Sequence, residues 1–116
     1  MKIVRWKDVS VETITDGVER QVLWGVQANL TRVSLAKGRH VSKHHHPAEQ
    51  FTYVKQGSLR MVLGARDMVM NEGDFVVIPS NVEHEVWALD DLVVWDFFAP
   101  PRHDWKERPS DYLAGL

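Results

Sequence analysis

Four of the six histidines lie between His40 and His46, and the densest run is HHHPAEQ at 44–50. Imidazole nitrogens and side-chain oxygens are donors that divalent transition metals accept. The chain has no cysteine, so any metal must rest on nitrogen and oxygen ligands. On an extended strand, residues two apart share a face, so His44 and His46 can converge on one ion while His45 points away. Pro47 cannot donate to a strand ladder and favours a turn, which would return the chain as a new strand with Gln50 near the same pocket. Its amide oxygen is a competent ligand. Much later, His84 shares strand parity with Val82 and Val86 and should point inward, where an imidazole needs a partner.

A second constellation lies in LVVWDFFAPPRHDW at 92–105. In a strand, Leu92, Val94, Asp96 and Phe98 share one face and Val93, Trp95 and Phe97 the other. If the first face lines the interior, Asp96 is a partly desolvated carboxylate near a metal and a candidate general base. The reverse parity would expose Asp96 and bury Trp95. The two prolines before Arg102 stiffen the backbone and could aim its guanidinium over the pocket, where a forked donor suits a substrate carboxylate. Arg102 could equally pair with Asp104 or Glu107 at the surface. His40 shares parity with His44 and could line the pocket mouth, but it lies outside the ligand pattern, so a solvent-facing place or a supporting role behind the ligands is expected of it, and His45 and Glu49 lie outside the pattern too. His103, after the proline pair, reads as a surface residue.

The elements that must hold these groups read as strands. Turn-forming residues recur at Asp16-Gly17, Gly25, Lys37-Gly38, Gln56-Gly57, Gly64, Glu72-Gly73, Pro79-Ser80-Asn81 and Asp90-Asp91, mostly about ten residues apart, which is the punctuation of an all-β sandwich or barrel. Between them apolar residues alternate, as in Leu59, Met61 and Leu63 against Ser58 and Arg60. Before residue 108 nothing keeps the spacing of an amphipathic helix, and only Ser110–Leu116 could hold a helical turn. A jelly roll of two sheets is one solution to exposed strand edges at this size.

The length, 116 residues, suits one domain spanning 1–116. With 14 basic and 16 acidic side chains, no cationic surplus points to nucleic acid or an anionic membrane, and a small-molecule substrate is the expected partner. Charges interrupt MKIVRWKDVSVET, so no signal peptide or membrane span can be drawn there, and a cytoplasmic location is expected. Five tryptophans and two apolar faces on the last strand suggest a homodimer that covers apolar surface.

From Gly38 to Gly57 the sequence resembles the first cupin motif, G(X)5HXH(X)3,4E(X)6G, through Gly38, His44, His46 and Gly57, with Gln50 at the glutamate position. From Gly73 it resembles the second, G(X)5PXG(X)2H(X)3N, through Gly73, Pro79 and His84. Asn81 replaces a glycine, and asparagine also tolerates a left-handed turn. Ala88 replaces the final asparagine. The resemblance covers roughly residues 20–98 and implies an all-β, double-stranded β-helix barrel with one divalent metal on His44, His46, Gln50 and His84. A histidine run can instead be a solvated loop, but two motifs in register argue against it. The glutamine removes one negative charge and suits Ni, Zn, Fe, Mn or Co better than a hard cation.

The glutamine-containing ligand set together with DFFAPPRHDW is similar to the KdgF-type cupins of pectin and alginate breakdown. That resemblance implies ring opening of 4,5-unsaturated uronates to linear 5-keto-4-deoxyuronates, with Asp96 and Arg102 as catalytic residues and Phe98 and Arg102 as substrate-binding residues. An Fe(II)-dependent dioxygenase and a non-catalytic sugar-binding domain are the alternatives, because the fold alone does not name the chemistry.

Overall fold

The computed structural model describes residues 2–107. Alternating β-branched, aromatic and polar residues between the turns form ten strands: β1 (Glu12–Thr15), β2 (Val18–Trp24), β3 (Asn29–Leu35), β4 (His40–His44), β5 (Glu49–Gln56), β6 (Ser58–Leu63), β7 (Arg66–Asn71), β8 (Phe75–Ile78), β9 (His84–Ala88) and β10 (Leu92–Ala99). A 3-10 turn at Trp6–Asp8 and a single helical turn, α1 (Asp104–Glu107), complete the described chain. Neither is long enough to give a helical period. The tail Ser110–Leu116 lies outside the described residues. No helix among them is long and apolar enough to cross a membrane.

The strands form a six-stranded sheet, β1-β2-β3-β10-β5-β8, and a four-stranded sheet, β4-β9-β6-β7. All pairings are antiparallel. From β3 to β6 the chain changes sheet at every turn, so the two sheets close on one another as a jelly-roll barrel. Every predicted turn is found between strands.

The barrel interior divides along its length. One end is filled by Val33, Leu35, Val54, Leu59, Met61, Met70, Leu92 and Val94, all nearly inaccessible. At the other end the inward positions turn polar: Thr31, Asp96 and Thr52 form one cross-strand row, and Asn29, Phe98 and Gln50 the next. An apolar floor thus stabilises the barrel, and the polar end holds groups whose burial requires partners.

Several motif positions are backbone requirements. Gly38, Gly57 and Gly73 have φ of 88°, 83° and 92°, and Asn81 has φ 61° in the left-handed region. Around Gly38 and Gly73 an added Cβ would meet open space, whereas at Gly57 it would collide with the carbonyl oxygen of Asp91 in the turn before β10. Gly57→Ala is therefore expected to cost about 2 kcal/mol or more, and Gly38→Ala and Gly73→Ala about 1 kcal/mol each, in urea unfolding. Equal costs at the three positions would mean that the Asp91 contact contributes nothing.

Candidate functional site

The pairing of β4 with β9 sets His44 and His84 directly opposite one another. Its register shifts between Val41 and His44. Val41 and His44, three residues apart, consequently both line the interior cavity, as a bulge allows. This overturns the shared parity of His40 and His44. His40 faces outward, donating from Nε2 to Glu85 Oε2 at 2.6 Å and stacking on Trp87. β4 ends at His44, and His46 follows in the connection to β5, buried beside exposed His45 and Pro47. The alternation of sides outlasts the strand.

The three imidazoles converge. Ligating nitrogens of His44, His46 and His84 all lie within 4.8 Å of one another. Each Nδ1 faces a carbonyl: Ser42 at 2.8 Å for His44, Ala48 at 2.8 Å for His46, and Val82 at 2.9 Å for His84. A carbonyl can only accept, so each Nδ1 carries the proton and each Nε2 presents a lone pair. Nε2 of His84 is buried without a hydrogen-bond partner among the described residues.

Nε2 of His46 lies 3.0 Å from Gln50 Oε1. The Gln50 amide nitrogen donates to Thr52 Oγ1 at 2.9 Å, and that hydroxyl donates to Asp96 Oδ1 at 2.7 Å. The amide is thereby oriented with its oxygen toward His46. Two acceptors then face each other, an arrangement that a cation between them makes favourable. Burial lowers the pKa of all three imidazoles, those of His46 and His84 to about 4. They are neutral ligands at pH 7. The donor set fits one divalent transition metal.

Asp96 faces inward with Leu92, Val94 and Phe98, and Trp95 lies on the outer face against Trp6 and Tyr53. Burial raises the Asp96 pKa to about 6, against the opposing pull of hydrogen bonds from Thr52 and Gln50 and the charge of Arg102. A dication nearby would lower it again. Phe98 stands edge-on to His46, with ring centroids 5.6 Å apart. Arg102 lines the same cavity, of about 620 Å³ counting the solvent at its mouth. Its guanidinium also pairs with Asp104, the surface reading made from sequence, yet its side chain is only 12% exposed. Arg102 thus lines the cavity and pairs with Asp104 at once.

Three partners escaped the sequence reading. Thr52, two residues from Gln50 on the same strand face, links the amide to Asp96; its period-two spacing was the available signal. Asn29 accepts from the Arg102 backbone N–H at 2.7 Å and ties the segment after the prolines to β3. Trp105, 2% exposed, closes one side of the cavity, and its burial depends on contacts that no local pattern encodes.

A jelly-roll barrel with convergent histidines at its polar end is the architecture of a cupin, and the three imidazoles form a group that could hold a metal ion. A family model described as "Cupin domain" matches residues 31–96, and the chain belongs to that family. Within the family it resembles the KdgF type. It is 30% identical over 96 residues to the pectin degradation protein KdgF of Dickeya dadantii, covering 80% of this chain and 87% of that one. The structure of KdgF from Halomonas sp. matches with a TM-score of 0.80 and 26% identity, covering 84% of this chain and 94% of that one. An RmlC-like cupin from Shewanella frigidimarina shares the fold, with a TM-score of 0.85, 24% identity, and 90% and 96% of the two chains covered.

Proposed function

We propose that the protein opens the ring of 4,5-unsaturated uronate monosaccharides from pectin or alginate, giving linear 5-keto-4-deoxyuronates. The observation that carries this reading is a buried carboxylate, Asp96, sharing one cavity with the imidazole cluster and the Arg102 guanidinium. Similarity to KdgF, a pectin degradation protein, supports the substrate class.

The residues divide the work. Arg102 holds the substrate carboxylate, and Phe98 packs against the sugar. Asp96 removes the proton from the anomeric hydroxyl. The electrons of that O–H bond form the C1 carbonyl, the bond from C1 to the ring oxygen breaks, and the ring oxygen leaves as an enolate on C5. Return of the proton to C4 completes the 5-keto product, so Asp96 ends as it began and no oxidant is consumed. His44, His46, Gln50 and His84 would hold the metal, which when bound supplies Lewis acidity toward developing negative charge. Trp105 and the apolar floor keep water from the reacting atoms.

The test is incubation with unsaturated galacturonate under nitrogen, following loss of the conjugated double bond's ultraviolet absorbance above the spontaneous rate. Acceleration without oxygen is expected. Activity that appears only with oxygen would point to a dioxygenase, and tight binding without turnover to a sugar-binding domain.

We also expect a homodimer. Phe51, Phe75, Val77 and Phe97 are 40%, 71%, 45% and 42% exposed, and the strand register places them together on the outer face of β5, β8 and β10. Association through this face would remove apolar surface from water. Sedimentation at micromolar concentration should give a dimer and Phe97→Asp should shift it toward monomer; a monomeric wild type would reject the assignment.

A further inference from the structure

We propose that Asp104 is a positioning residue for the carboxylate anchor: it grips one edge of the Arg102 guanidinium so that the other edge faces the substrate. The inference rests on the role of Arg102 proposed above. Nε–H of Arg102 donates to Asp104 Oδ1 at 3.1 Å, and Nη2 donates to Oδ2 at 3.0 Å. This side-on fork engages two of the five N–H donors. Nη1 and the second Nη2 hydrogen remain, and they form the end-on pair that can receive a second carboxylate. Among the described residues they have no acceptor in the hydrogen bonds of Arg102. Asp104 therefore does not occupy the edge that the substrate would use.

The rest of the segment holds this geometry in place. The Arg102 backbone N–H is fixed to Asn29, which is 1% exposed and donates in turn to Thr31. The guanidinium lies 4.7 Å from the centroid of the Trp105 ring and 5.4 Å from that of Phe98. Trp105 also packs under the Arg20 guanidinium, 4.4 Å from its centroid, and edge-on to Phe98 at 5.1 Å. A free arginine has many rotamers, and ordering it at the moment of binding weakens binding. Here that ordering is done by folding. Two effects of Asp104 oppose each other, because its charge also repels an incoming anion. Its side chain is 38% exposed, so solvent screens the repulsion, and the orienting contact dominates.

The experiment measures calorimetric binding of saturated galacturonate and of its methyl ester to the metal-loaded protein and its variants. Asp104→Ala is expected to raise the Kd for galacturonate about tenfold, and Asp104→Asn, which keeps one acceptor, by a smaller factor. The ester should bind all variants alike. In an Arg102→Ala background, Asp104→Ala should cause no further loss, because its effect runs through Arg102. Tighter or unchanged galacturonate binding in Asp104→Ala, an equal loss for the ester, or the same loss with Arg102 already removed would each overturn the inference. Should Asp104→Ala fail to fold, the isosteric Asp104→Asn carries the same comparison. Galacturonate binding that depends on Asp104 in a protein that does not open the unsaturated sugar would support the anchor and reject the proposed reaction. A wild type without preference for the acid over its ester rejects the anchor.

Discussion

His84→Ala is expected to reduce bound metal from about one per chain to near zero after dialysis, read by elemental analysis, while His45→Ala stays near wild type. The difference follows from placement. His84 is 2% exposed and stands opposite His44, with its Nδ1 held by the Val82 carbonyl and its Nε2 turned to the common point. Its loss leaves the His44 and His46 lone pairs and a neutral amide, too few donors to retain a transition metal against dilution. His45 projects to solvent on the other side of the chain. Metal binding also stabilises the folded state by mass action, by about 4 kcal/mol when free metal exceeds its Kd a thousandfold. A chelator should thus lower the melting temperature of wild type and His45→Ala and leave that of His84→Ala unchanged. Equal metal content in the two variants would mean that the imidazoles do not act together.

Asp96→Asn should lower turnover of unsaturated galacturonate by about 10²–10⁴ while metal content stays near wild type and KM changes less. The amide keeps the shape and can still accept from Thr52, but it cannot take a proton. Full activity in a metal-replete Asp96→Asn protein would remove Asp96 from the mechanism, and His40 could not replace it, since that ring faces outward against Glu85 and Trp87.

The same variant has an opposite effect on stability. Folding raises the Asp96 pKa from 3.8 to about 6, so the folded state favours the protonated carboxyl. In metal-free protein that stabilisation is complete below pH 3.8 and is lost as pH rises through 6. At about 1.4 kcal/mol per unit the shift corresponds to about 3 kcal/mol. Metal-free Asp96→Asn should accordingly exceed metal-free wild type in stability by up to this amount at pH 8, with a difference that shrinks toward pH 4. A difference independent of pH would mean that Asp96 titrates normally.

Much of this architecture is legible in the chain because it is local. A left-handed turn admits glycine or asparagine, so Gly38, Gly57, Gly73 and Asn81 mark strand ends without reference to the rest of the fold. A strand buried on one face must alternate, so period two groups Leu92, Val94, Asp96 and Phe98 on one face, and the structure shows that this face is the inward one. Histidines near 44 and at 84 announce nitrogen donors wherever the fold brings them. Tertiary structure decided what period two cannot carry. A bulge between Val41 and His44 adds one residue to β4, which reverses the side of His40 while keeping His44 inside. Strand pairing, set by contacts between residues 40 apart, put His84 opposite His44. Whether Arg102 serves the surface or the cavity depended on Asn29, 73 residues away, and on the burial of Trp105. Those contacts join residues far apart in the chain, so no local pattern of residue types encodes them, and only the pairing of β3 with β10 brings them together.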